Sequence, residues 1–399
     1  MRSTPSYIVT TILLLLLIAC HSGTEQASAR TPASGFKETP IKNAVTPLVY
    51  DTNSVQAQNI IAQLDNYYRG QVRAGFNGSV LIGNKGRIIY ERYFGVANRE
   101  RKVPLTPTSA CQLASVSKTF AGAALLYLYQ RKYVNIDLPV QTYLKQFPYP
   151  NITVKMLLDH RSGIPDYTKW VPEYTGDMKN PITNEQMLTL LSTRKPALEF
   201  TPNKHFKYCN TNFALIAMII EKVTEMNYYD FMSKYIFQPL GMTSSFVYSP
   251  WKGLPANATI SYKYNWRREP DMFADGVYGD KGIYSTVEDM YRWDQSFYHN
   301  LLLSNETLEL AYGPCSFEKP GIKNYGLGWR MLCYPNGNKI IYHNGWWHGN
   351  NTSFYRFIRE DMTIIVLGNK FTNSIYHQAP AVYSIIKGQP VQKGFDTED

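Results

Sequence analysis

Ser115 and Lys118 stand three residues apart at the head of a run, Thr119 to Tyr129, that carries no charge until Arg131. On a helix, positions i and i+3 share a face, so the Lys118 amine reaches the Ser115 hydroxyl while first-turn N–H groups face any negative charge that develops there. A serine hydroxyl is a poor nucleophile at neutral pH unless a base or a neighbour activates it. A lysine desolvated against apolar surface can be that base, and a helix apolar all round is a buried one. The pair therefore predicts a nucleophilic serine. The bland alternative is a serine that caps a core helix beside a lysine that snorkels to solvent. Ser-x-x-Lys recurs at Ser34, Ser192, Ser249, Ser316 and Ser384. Ser34 lies in a polar leader, Pro250 follows Ser249, and Pro196 follows Lys195. Ser316 sits in a loop flanked by Gly and Pro, and Ser384 opens no long helix, whereas Ser115 opens a buried one.

The elements that must carry this pair follow from periodicity. Ser54 to Arg73 has helical spacing, and two strand-like runs, Gly78 to Ile82 and Arg87 to Tyr93, flank a hairpin turn at Asn84-Lys85-Gly86. From Ser115 to about Gly241 the pattern is helical, including Asn184 to Leu191 and Thr211 to Val223. Ser285-Thr286-Val287-Glu288 has capping-box spacing and opens a helix carrying Met290, Trp293 and Phe297. Strand-like runs return at Tyr325 to Leu332, Lys339 to His343, Ser353 to Ile358 and Thr363 to Leu367, before a last helix at Pro380 to Lys387. Early strands, a helical insert and late strands imply one antiparallel sheet closed by both ends of the chain.

The 399 residues suffice for one large domain or two closely packed ones. Charged residues make up 18% and hydrophobic ones 44%, a globular balance. The net charge of +10 is spread without basic runs or a nucleic-acid motif, so no nucleic-acid partner is expected, and an anionic membrane or cell-wall polymer explains it as well as anything. Arg2 precedes an apolar stretch, Ile8 to Ala19, too short to span a bilayer and suited to a secretory signal. It ends Leu17-Ile18-Ala19-Cys20, which resembles the lipobox of bacterial lipoproteins, so residues 1–20 are expected to be a signal and Cys20 a lipidation site holding the protein on a membrane. The alternative is an ordinary signal with an incidental cysteine. Residues 21–48 begin with a polar Ser/Thr/Ala/Gly/Pro-rich stretch that reads as a tether. Cys111, Cys209, Cys315 and Cys333 remain, and spacing suggests pairing Cys315 with Cys333. No Cys/His spacing points to zinc, and no metal or cofactor is expected.

Three motifs now line up in order: Ser115-Val116-Ser117-Lys118, Tyr208-Cys209-Asn210 and His343-Asn344-Gly345. Tyr-x-Asn alone means little among 31 tyrosines, but Tyr208 falls 93 residues after Ser115 and leads directly into the apolar run Thr211 to Glu221. With Ile152 to Pro165, Pro239-Leu240-Gly241-Met242 and Gly279 to Thr286, the chain from about 50 to 390 resembles the serine β-lactamase and penicillin-binding protein family. The likeness is greatest to the branch holding class C β-lactamases, serine DD-carboxypeptidases and related esterases. The resemblance implies an α/β fold of the α+β type, β-lactamase/transpeptidase-like, over residues 49–390. Its α/β part would span about 49–120 and 270–390, and its helical part about 121–269.

It further implies an acyl-enzyme on Ser115, activated by Lys118, with Tyr208 passing a proton to the leaving group and then activating water if nearby cations depress its phenol. Asn210 would hold substrate or cap its helix. His343 stands where many relatives carry lysine and would be a weaker cation. Gly345 would let the strand approach the substrate, and the Trp346 N–H would join that of Ser115 as an oxyanion hole. Asn344 replaces the threonine or serine whose hydroxyl meets a substrate carboxylate, and Trp346-Trp347-His348 is bulky. Cys209 reads as packing and His160 as a loop stabiliser. The substrate would be a small molecule or a peptidoglycan peptide carrying an amide, peptide or ester. The rivals are a broad esterase and a non-catalytic lipoprotein that binds cell-wall fragments.

Overall fold

The computed structural model describes residues 35–41, 44–392 and 394–395. Cys20, the signal segment, Ser34 and the first part of the expected tether lie outside the described residues. The run Gly78–Asn84 is buried through Gly83, and Met362–Gly368 is buried throughout, as befits central strands covered on both faces. They pair with each other, Val80 opposite Val366. Around them forms a seven-stranded sheet in the order Arg87–Phe94, Gly78–Asn84, Met362–Gly368, Asn350–Phe357, Lys339–Trp347, Arg330–Cys333, Lys323–Tyr325. Every pairing is antiparallel, and both ends of the chain contribute, as the order of runs requires. The hairpin turn has Lys85 at φ 52 and Gly86 at φ 71, the paired left-handed conformation of a two-residue turn.

One face of the sheet is covered by the helices Val55–Arg73 and Gln378–Lys387 through a cluster holding Leu64, Tyr68, Ile364 and Val382. The other face meets the helix Val287–Tyr298 and a helical layer centred on Ser117–Gln130, which is buried from Ser117 to Leu128. Asn210–Thr224 packs beside that central helix. The run Tyr325 to Leu332 is two strands, not one. Gly328 turns the chain at φ 88, and a Cβ on Gly326 would come within 2.2 Å of the Ala311 carbonyl oxygen. The cap of the helix Val287–Tyr298 also moves by one residue, since the Thr286 hydroxyl, not that of Ser285, accepts from Asp289 N. The helical part contains a two-residue strand missed by periodicity, Phe246–Val247, which joins Ile283–Ser285 and Cys111–Gln112 in a small sheet.

Two expectations need correction. The end of the proposed tether is part of the folded body: the Phe36 ring lies 5.0 Å from those of Tyr133 and Tyr235, and Glu38 accepts from the Tyr133 and Tyr235 hydroxyls. An aromatic ring with three ring partners gains more from burial than a tether residue loses in freedom. The pairing of Cys315 with Cys333 is not formed, and all four described thiols are free. Cys315 N bonds Tyr325 O on one edge of the Lys323–Tyr325 strand, while Cys333 N bonds Ile322 O on its other edge. Two strand spacings separate them, about 10 Å, beyond the reach of a disulfide.

Candidate active site

Ser115 is placed by a backbone contact. Leu113 and Ala114 pass directly under the strand Lys339–Trp347, and a Cβ on Gly345 would lie 2.3 Å from Leu113 O and 3.1 Å from Ala114 Cβ. The missing side chain therefore makes room first for the segment that carries Ser115. Thr352 Oγ1 donates to Leu113 O at 2.7 Å, and Leu113 N to Ile283 O at 2.8 Å, which pins the segment from both sides. Ala114 is held at φ 50, a costly conformation for a residue with a side chain. Ser115 follows in a single 3-10 turn, Ala114–Val116, before the long helix begins at Ser117.

Lys118 is fully buried and does not snorkel. Its Nζ lies 3.1 Å from Ser115 Oγ, 2.8 Å from Asn210 Oδ1 and 2.7 Å from the Asp280 carbonyl oxygen. Two of these partners only accept. They hold two N–H groups, so the third position on nitrogen faces Ser115, as lone pair or as N–H according to protonation. Asn210 is oriented in turn by Asp166, whose Oδ2 accepts from both Asn210 N (2.8 Å) and Nδ2 (3.0 Å). Asn210 thus opens its helix, its neighbour Cys209 being the cap residue, while its amide serves the site.

Tyr208 lies between cations. Lys118 Nζ and Arg330 Cζ are each 4.9 Å from its ring centroid, and its buried hydroxyl has no hydrogen-bond partner among the described residues. His160 does more than stabilise its loop: its ring packs 4.4 Å from that of Tyr208, and its Nδ1 accepts from Cys209 N at 3.1 Å. Burial, then the charges of Lys118 and Arg330, drive the His160 imidazole well below its usual range. The same holds for His343, where burial and the charges of Arg330 and Lys118 keep the ring neutral. The weak cation expected at His343 is therefore absent, and the permanent charge near Tyr208 is Arg330, carried by the neighbouring strand opposite Tyr342. Burial also pushes the Cys209 thiol up to about 12, which makes it packing. A cavity of about 400 Å³ opens beside Tyr208, lined by Phe206, Tyr325, Arg330, Tyr342 and several lysines.

Past Tyr342 the strand Lys339–Trp347 has no partner on its Arg330 side, so residues 343–347 form a free edge along the site. His343, Gly345 and Trp347 alternate onto one face, Asn344 and Trp346 onto the other. Asn344 Nδ2 reaches the Tyr355 hydroxyl at 3.4 Å, which takes it away from Lys118, and the Trp346 indole is 63% exposed. Ser115, Lys118, Tyr208, Asn210, His343 and Gly345 are thus brought together, whereas the side chains of Asn344 and Trp346 are not.

Residues 60–383 match the Beta-lactamase family. The chain belongs to that family. This beta-lactamase family member is 32% identical to Penicillin-binding protein 4* of Bacillus subtilis (strain 168) over 79% of the chain and 73% of that protein. It is 26% identical to a D-aminopeptidase of Brucella anthropi over 78% of the chain, and spans 58% of that relative's length. Its fold superposes on a D-amino acid amidase of Ochrobactrum anthropi SV3 (TM-score 0.69, 21% identity, 84% of this chain and 99% of that one). A class C beta-lactamase fits as well (TM-score 0.69, 21% identity, 85% and 98%). The family places the chain among serine hydrolases by fold.

Sequence reasoning missed Asp166, Arg330 and the Asp280 carbonyl. Asp166 had a legible signal, since an aspartate after Ile164-Pro165 caps the helix Tyr167–Thr175. Arg330 and the Asp280 carbonyl had none, because their roles depend on strand register and on a turn.

One group on the His160 loop titrates unusually. Burial pushes the Asp159 carboxyl up to about 7, although it accepts from Arg161 N at 3.2 Å. An unfolded aspartate ionises near 3.9, so between about pH 4 and pH 7 the folded state holds a proton that the unfolded state has lost. Stability then falls as pH rises through that window, by roughly 3 kcal/mol between pH 5 and pH 8. Asp159→Asn should remove this component. Urea unfolding at the two pH values should show the variant gaining much more at pH 8, and equal differences at both would place the carboxyl in the ordinary range.

Proposed function

We propose that the protein is an exported serine hydrolase that forms an acyl-enzyme on Ser115 with substrates ending in a D-amino acid, in the manner of a D-alanyl-D-alanine carboxypeptidase. The observation that carries this reading is the threefold contact of buried Lys118, which leaves one position on its nitrogen for Ser115. Ser115 Oγ bonds to the scissile carbonyl carbon while its proton passes to Lys118, and the Ser115 and Trp346 N–H groups receive the oxyanion. The C–N bond then breaks as the amine takes a proton through Tyr208. Water then bonds to the acyl carbon while its proton passes back through Tyr208 to Ser115 Oγ, and the bond between Ser115 Oγ and the acyl carbon breaks, releasing the acid and restoring Ser115. A Tyr208 hydroxyl with no partner of its own suits this relay.

Substrate class follows from which side the leaving group occupies. Proton delivery by Tyr208 puts the leaving group at the Tyr208 end of the free edge, facing the cavity that holds Arg330. An arginine there suits a leaving group with its own carboxylate, a role that Asn344 and neutral His343 do not supply. Relatives named for D-aminopeptidase and D-amino acid amidase activity support the D configuration.

Intact mass after mixing with benzylpenicillin should show an adduct on the wild type and none on Ser115→Ala. Failure of both this and aryl esters to acylate Ser115 would refute the reading. Arg330→Ala should lower the kcat/KM ratio for N-acyl-D-alanyl-D-alanine over its C-terminal carboxamide by about 10- to 100-fold, the worth of a charged hydrogen bond. A constant ratio would remove Arg330 from substrate recognition.

Export and anchoring rest on the leader and on Leu17-Ile18-Ala19-Cys20. No helix among the described residues is long and apolar enough to cross a membrane, so a lipid on Cys20 would be the attachment. Cys20→Ala should move the protein from the membrane to the soluble fraction of a bacterial expression host, and a wild type that is already soluble would argue for an ordinary signal.

A further inference from the structure

Trp347 lies on the catalytic face of its strand, two residues beyond Gly345, at the end of the free edge opposite Tyr208. If the leaving group sits at Tyr208, the acyl group extends toward this indole. The ring is fixed on two sides. Its Nε1 donates to Asp275 Oδ1 at 2.7 Å, a charge-assisted bond. Its face lies 4.7 Å from Lys281 Nζ, a buried ammonium group held by Asp280 and the Tyr167 hydroxyl. Asp280 is the residue whose carbonyl holds Lys118, so one side of the indole adjoins the catalytic lysine's support. On its other side the indole meets Asp275, and beyond that carboxylate lies a second cavity of about 530 Å³. Gln112, Tyr248, Tyr284, His348 and Asn350 line it together with Asp275, the partner of the indole N–H.

We propose that Trp347 is a specificity-determining gate on the acyl side, its indole closing the passage from Ser115 to the Asp275–His348 cavity and so restricting the acyl donor to small groups. Asp275 holds the gate shut. Its carboxylate also accepts from Met272 N at 2.7 Å and lies 2.9 Å from His348 Nε2, so the anchor is itself fixed. Because no residue in this arrangement reaches the reacting atoms, the gate sets which acyl groups enter and leaves the bond changes to Ser115, Lys118 and Tyr208. The inference rests on the acyl-enzyme reading above.

The test compares p-nitrophenyl acetate with p-nitrophenyl phenylacetate on the full chain and its Trp347→Ala, Trp347→Leu and Trp347→Phe variants. The phenylacetate-to-acetate ratio of kcat/KM should rise at least about 10-fold in Trp347→Ala, given that one methylene in a pocket is worth about 10- to 200-fold. Trp347→Leu, which keeps apolar cover over Lys281 and serves if the alanine variant does not fold, should raise it in the same direction. Trp347→Phe, which keeps the ring but loses the bond to Asp275, should raise it less than Trp347→Ala does. A ratio within twofold of wild type in a cooperatively melting Trp347→Ala or Trp347→Leu protein would overturn the gate. A wild type that forms no Ser115 acyl adduct with either ester would instead overturn the acyl-enzyme reading, and the gate with it.

Discussion

Lys118 nitrogen is buried without solvent, and burying a charged or strongly polar group is costly unless every bond it needs is supplied. Three separate parts of the chain supply them: the turn bearing Ser115, the head of the helix bearing Asn210, and the Asp280 backbone. Each is fixed by something else. The Ser115 turn is clamped beneath Gly345, Asn210 is oriented by Asp166, and the residue after Asp280, Lys281, is locked between Tyr167 and Trp347. The sheet, the helical layer and the loop before Asn210 therefore meet at one atom. Displacing any of them costs the others a partner, so the site is as rigid as the core that holds it.

The distribution of positive charge follows from the same burial. Two histidines flank Tyr208, and a low-dielectric site already holding Lys118 and Arg330 cannot also charge them, so both stay neutral. They pack and orient, while Arg330, whose guanidinium does not deprotonate, keeps its charge beside the Tyr208 ring. A positive charge, that of Arg330, stands at the Tyr208 end of the free edge. At the other end the Trp347 indole stands over a Lys281 whose charge is matched by Asp280, with Asp275 on its N–H. One short stretch of strand, residues 343–347, thereby divides the site into two chemically different halves.

Much of this was legible in the chain. The buried helix after Ser115 and the antiparallel sheet built from both ends follow from local patterns of apolar periodicity, turn residues and spacing, while Tyr208-Cys209-Asn210 and His343-Asn344-Gly345 stood out only through the family resemblance. Ser115 and Lys118 sit where those patterns place them, and Tyr208 and Asn210 where the resemblance does. The strand boundary at Gly326–Gly328 and the packing of Phe36 were not legible, since each depends on what lies opposite, the Ala311 carbonyl in one place and a trio of aromatic rings in the other.

The sequence by itself determined which residues are chemically able to act, because a hydroxyl and an amine at helical spacing on an apolar run are a local fact. Only the tertiary structure decided which of them carry charge and which way they face. Burial made His343 neutral, strand alternation turned Asn344 away from Lys118, and register brought Arg330 to Tyr208. Proton affinity depends on the dielectric and on nearby charges, and those neighbours come from separate segments, Arg330 on the adjacent strand and Lys118 on a helix from the first half of the chain.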